Sequence, residues 1–125
     1  MPEIRAIIPT LRVSSVDDVL PFYAALGFTV SWQHQITPDA PRLTCVAQGP
    51  GNLFLTEHAV APFESVVHVM VDGLDEIVEN ARRRGVEPTY GPATRPWGDR
   101  EAYFTDPDGN VLRFGETISA PEDSA

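Results

Sequence analysis

The sequence predicts an α+β fold of two tandem βαβββ modules, whose mixed sheet forms a cleft with the helices on its outer face. Three observations carry this reading. The segments "VDDVLPFYAALGF", 16–28, and "LDEIVENARRRGV", 74–86, superpose at an offset of 58 residues, with Asp17 over Asp75 and Gly27 over Gly85. Both repeat apolar residues at i, i+3, i+4, i+7, at 16, 19, 20, 23 and at 74, 77, 78, 81, the spacing of one helix face. The same offset joins two Gly-Asn turns that each open an apolar run, "GNLFL" at 51–55 and "GNVLR" at 109–113.

Taken in order, the first module spans 1–58, with strands near 4–12, 28–36, 41–47 and 52–57 around its helix. The second spans 59–116, with strands near 65–71, 87–91, 100–105 and 110–115. Two copies are too few for a solenoid and indicate a duplicated unit within one domain. Ser15 with Asp18, and Asp72 with Asp75, have the form of N-terminal capping boxes, and Gly27 and Gly85 stop the helices. Pro21 removes a helical hydrogen bond, so the first helix is expected to start late or kink. Residues 117–125 carry too little apolar content to pack and read as a frayed acidic tail.

Period-two alternation assigns the faces. Ile7, Pro9, Leu11 and Val13, with Val67, Val69 and Val71, should face the helices, leaving Ile8, Thr10, Arg12, Val66, His68 and Met70 in the cleft. In the Gly-Asn strands, Phe54, Thr56, Leu112 and Phe114 should face the helices, and Leu53, Leu55, Val111 and Arg113 the cleft.

Composition narrows the function. A net charge of −9 disfavours nucleic acid and anionic membrane surfaces and favours a cationic guest. No apolar run approaches the roughly 20 residues of a membrane span, and the N-terminus has no long signal-peptide core. One cysteine, Cys45, excludes an intramolecular disulfide and a cysteine-based zinc site, in keeping with a reduced, cytoplasmic setting. Cys45 has no identifiable His partner, and there is no phosphate-binding glycine loop.

The segments "PFYAALGF", "VDGLDE" and "FTDPDGNVLRFGE" resemble those of the vicinal oxygen chelate superfamily, over roughly residues 4–116. That superfamily includes glyoxalase I, extradiol dioxygenases, fosfomycin-resistance enzymes and bleomycin-resistance proteins, and the resemblance implies their fold. Its enzymes hold a divalent metal at positions that fall here on Ile8, Leu55, Val66 and Arg113. None can ligate, because three are aliphatic and a guanidinium has no lone pair to give. His68 is a single imidazole without a nearby second ligand, so no metal and no other cofactor is expected.

Losing the metal while keeping the cleft is similar to the bleomycin-resistance branch, as are Pro9, "VDGLDE" and "RPWGDRE". The branch implies a homodimer that sequesters a bleomycin-type or other planar cationic antibiotic without turnover, with the N-terminal strand open to exchange between subunits. The alternative is a glyoxalase- or dioxygenase-like enzyme with a displaced metal site or metal-free chemistry. No catalytic residue is assigned. Candidate ligand-binding residues are Trp32, Leu55, Glu57, His68, Trp97, Tyr103 and Arg113, with Tyr90 and Asp39 as weaker candidates. Trp97 stands out because its Pro/Gly-rich loop offers no core strand to pack on, and aromatic guests bind by stacking.

Overall fold

The computed structural model describes residues 2–118. The first module contains β1 (Thr10–Arg12), α1 (Val16–Ala25), β2 (Thr29–His34), β3 (Leu43–Gln48) and β4 (Gly51–Thr56). The second contains β5 (Val66–Met70), α2 (Leu74–Arg83), β6 (Tyr90–Thr94), β7 (Asp99–Thr105) and β8 (Val111–Thr117). Each set of four strands makes its own mixed sheet, ordered β1-β4-β3-β2 and β5-β8-β7-β6. The first strand of each pairs parallel to the last, and the remaining neighbours are antiparallel.

The helix signals act largely as read. Gly27 and Gly85 adopt left-handed φ values of 96° and 84°, which an L side chain resists. Both helices close with the same paired bonds. Phe28 N–H reaches Tyr23 O at 3.0 Å and Gly27 N–H reaches Ala24 O at 3.0 Å, while Val86 and Gly85 repeat this on Ala81 and Arg82. Pro21 lies inside α1, yet the helix begins at Val16 and not late. Ser15 caps it, accepting from Asp18 N–H at 3.3 Å.

The second capping box does not form. Gly73 occupies the N-cap of α2 with φ 81° and no side-chain cap. Glu116, 43 residues beyond Gly73, accepts Gly73 N–H at 2.9 Å and Leu74 N–H at 3.0 Å instead. Glu57 does the equivalent work for α1, accepting Val16 N–H at 2.8 Å with one oxygen and Arg42 N–H at 2.9 Å with the other. These backbone donors hold the Glu116 carboxyl below its ordinary pKa. A lowered folded-state pKa contributes stability above the unfolded value of about 4.3, and this is lost as pH falls through the folded value. Glu116→Ala should therefore melt earlier than wild type at pH 7, and the gap should narrow as pH falls through the lowered folded-state pKa. A gap independent of pH would show that the carboxylate charge is not what holds the helix.

The core lies between the sheets and the helices, where Val16, Val19 and Tyr23 of α1 and Leu74, Val78 and Ala81 of α2 join one cluster with Leu11, Phe104, Leu112 and Phe114. A buried polar latch ties the modules together. Asp106 accepts from Tyr23 O–H at 2.7 Å, Asp108 N–H at 2.8 Å, Asn110 N–H at 2.9 Å and Asn110 Nδ2 at 3.0 Å. Asn110 in turn donates to Arg12 O at 2.9 Å and accepts Ser65 N–H at 3.0 Å. Burial, with the adjacent Asp106 carboxylate, pushes the Tyr23 phenol far above its ordinary range.

Two further sequence readings need correction. The first strand was expected over 4–12 but pairs only at Thr10–Arg12, and Ile4 and Ile7 are 79% and 83% exposed. Ile7 thus does not join the helix-side set. In β4 the faces are reversed: Leu53 and Leu55 are buried in the core, and Phe54 lies on the opposite face against Trp32. The cause is one residue of turn. Ala47 pairs with Asn52 across four intervening residues, whereas its counterpart Thr105 pairs with Val111 across five, Asp106–Asn110. The offset is therefore 58 up to β3 and β7 but 59 for β4 and β8. A one-residue shift in a strand exchanges its two faces.

Candidate functional site

With that register, the face of each sheet turned away from the helices carries a matching row of side chains. In the first module it is Trp32, Cys45, Phe54 and Thr10, set side by side by the strand pairing. In the second it is Tyr90, Tyr103, Arg113 and His68. The counterpart of Arg113 is thus Phe54, and not Leu55.

The first row is an apolar floor. Trp32 meets Phe54 edge-on, with ring centroids 5.2 Å apart, over the buried Cys45. Burial raises the Cys45 thiol pKa, which suits an inert side chain better than a nucleophile.

The second row is aromatic and cationic. Tyr90 and Tyr103 lie 4.8 Å apart between ring centroids. The Arg113 guanidinium sits 4.4 Å over the Tyr103 ring and donates to its hydroxyl oxygen. Tyr103 O–H donates to Glu101 at 2.9 Å. Arg95 donates to Tyr90 Oη and lies between that ring, at 5.4 Å, and the Trp97 ring, at 4.6 Å. Trp97 Nε1–H reaches the other Glu101 oxygen at 3.4 Å. The Nε–H of Arg95 and that of Arg113 are both buried without a partner.

The structure gathers Trp97, Tyr103, Arg113 and the exposed His68 on one sheet face, and leaves Trp32 on the other sheet. Two candidates fall away. Leu55 is 0% exposed in the helix-side core. Glu57 spends both carboxylate oxygens on backbone N–H groups of the α1 start and Arg42. Asp39 lies exposed in the β2–β3 loop. Sequence reasoning missed Arg95, Glu101 and Phe54. The alternation of "DREAYFT" does place Glu101 on the face of Tyr103, but nothing local shows that Arg95 folds back over Tyr90.

The positions implied for a metal do not fit one. Ile8, Phe54 (in place of Leu55), Val66 and Arg113 supply no lone-pair ligand. Among the described residues no three His, Cys, Asp or Glu side chains converge.

The paired four-stranded sheets with their helices are the fold of a known class. The model of the Glyoxalase/Bleomycin resistance protein/Dioxygenase superfamily matches residues 6–114, and the chain belongs to that superfamily. Solved structures agree on the fold. An antibiotic-binding protein from a Streptomyces species, TnmS3, is 27% identical with a TM-score of 0.73, covering 94% of this chain and 98% of its own. A bleomycin-binding protein complexed with bleomycin is 21% identical with a TM-score of 0.72, over 90% of this chain and 98% of its own. TioX from a Micromonospora species is 17% identical with a TM-score of 0.76, again over 90% and 98%. No curated protein matches the sequence.

Proposed function

We propose that the protein is a metal-independent binding protein that sequesters a planar aromatic small molecule, an antibiotic being the class that its structural relatives suggest. The observation that carries this reading is the half-buried Tyr90–Tyr103 pair flanked by the exposed Trp97, an aromatic platform on a sheet face that has no core role. Stacked rings of this kind bind flat guests. The bleomycin-type, cationic guest expected from net charge is the finer form of the reading. The local charge differs in sign, because two guanidiniums meet one carboxylate here.

A small-molecule site buries most of its guest, and one open sheet face cannot. Trp97 is 61% exposed and Trp32 41%, with Val66 and Met70 also exposed. We infer that a second copy covers this face through an isologous contact, so the working form is a homodimer in the cytoplasm. Among the described residues no helix is long and apolar enough to cross a membrane. Light scattering should give about twice 13.7 kDa; a monomer that binds tightly would contradict the shared cleft.

The function is tested by a thermal-shift screen of planar aromatic antibiotics, bleomycin included, against chelator-treated protein. A ligand at 100 times its Kd should stabilise the fold by about 2.7 kcal/mol and be recovered chemically unchanged. Binding that requires added divalent metal, or conversion of the ligand, would overturn the proposal.

A further inference from the structure

From the charge arrangement in the second-module row we infer that the guest is a planar aromatic acid, a ring system bearing an anionic oxygen that Arg113 and Arg95 engage. The inference rests on the small-molecule reading above and names its ligand class.

The chain as a whole is strongly acidic, but the cluster inverts that sign. Among the described residues three arginines form salt bridges, Arg42 with Asp17, Arg82 with Glu87 and Arg100 with Asp75. Neither Arg95 nor Arg113 is in that set. The nearby carboxylate, Glu101, has its two oxygens occupied by Tyr103 O–H and Trp97 Nε1–H. Each cluster guanidinium therefore rests on a ring face and gives one bond to a phenol oxygen, while its Nε–H is buried and unpaired. A guanidinium carries five donors in a fork that matches a carboxylate. Two half-buried forks with spare donors, free of any salt bridge, hold unspent capacity for an anion beside an aromatic platform. A cationic guest would instead meet two like charges in a partly desolvated site, where repulsion is poorly screened. His68, one strand across from Arg113, adds a further donor on the same face.

The test uses three probes on one ring system: anthracene-9-carboxylate, the neutral 9-anthracenemethanol and the cationic 9-(aminomethyl)anthracene, each followed by quenching of tryptophan fluorescence at pH 7.5. The carboxylate should bind at least tenfold more tightly than the alcohol, and the amine most weakly. In Arg113→Gln and Arg95→Gln together, the carboxylate-to-alcohol ratio should fall toward one, whatever happens to absolute affinity. Arg113→Lys, which keeps the charge and loses the fork, should retain part of the preference and guards against a folding artefact. An alcohol or amine bound as tightly as the carboxylate, or a ratio that survives the double substitution, overturns this inference and leaves the binding function standing. Failure of all three probes to bind would count against the binding function itself, and the inference would fall with it.

Discussion

Asp106→Ala is expected to lower stability by about 3–5 kcal/mol, because it strips four hydrogen bonds from one buried carboxylate and strands the Tyr23 hydroxyl and the Asn110 amide in the core. Against the ~5–15 kcal/mol typical of a domain, that is a large share. Tyr23→Phe removes only the 2.7 Å bond and should cost about 1.5–3 kcal/mol. The double variant should be less destabilised than the sum, since both changes break the same contact. The phenol also sets an alkaline limit. Its folded pKa is raised, so its contribution is full below the unfolded value of about 10 and is lost as pH climbs beyond it. Chemical denaturation of the three variants checks this. An Asp106→Ala midpoint within error of wild type would show that α1 and the second-module turn are not latched there.

Leu55→Arg should be the most damaging single change in β4. It would place an unpaired guanidinium at a position with 0% exposure, at a cost of more than about 4 kcal/mol. Phe54→Arg, one residue away, should cost about 1–2 kcal/mol, chiefly the lost edge-on contact with Trp32. The side chain would then occupy the position that Arg113 holds in the other sheet. Denaturant midpoints rank the two variants. The opposite order would restore the uniform offset of 58 and return Leu55 to the cleft.

That pair also marks the limit of what the sequence disclosed. The duplicated architecture and both helix stops were legible because they depend on local periodicity and on glycine's freedom at positive φ. The faces of β5 and β8 were legible too, since alternation there runs without a break. In β4 alternation could not decide, because "LFL" at 53–55 puts apolar side chains on both faces and only the turn length fixes which one is buried. The matching Gly-Asn pairs hid a one-residue difference. Asn52 sits within β4, whereas Asn110 is a buried turn residue holding Arg12 and Ser65. Glu57 looked like a surface carboxylate because its partners lie 41 and 15 residues away. Tyr103, Arg113 and Trp97 were singled out one by one. Their union with Arg95 and Glu101 depends on loop conformation that no local pattern carries.

The protein has two tryptophans, one on each sheet face, so a ¹H–¹⁵N spectrum holds two indole signals and reads the site directly. With the tightest ligand from the antibiotic screen, the Trp97 indole, bonded to Glu101 beside the Tyr90–Tyr103 platform, should shift saturably at one ligand per chain. Tyr103→Ala should weaken that titration by about fivefold or more, the loss of roughly 1 kcal/mol of stacking. A ligand that stabilises the protein while the Trp97 signal stays in place would contradict the assignment of this face as the binding site.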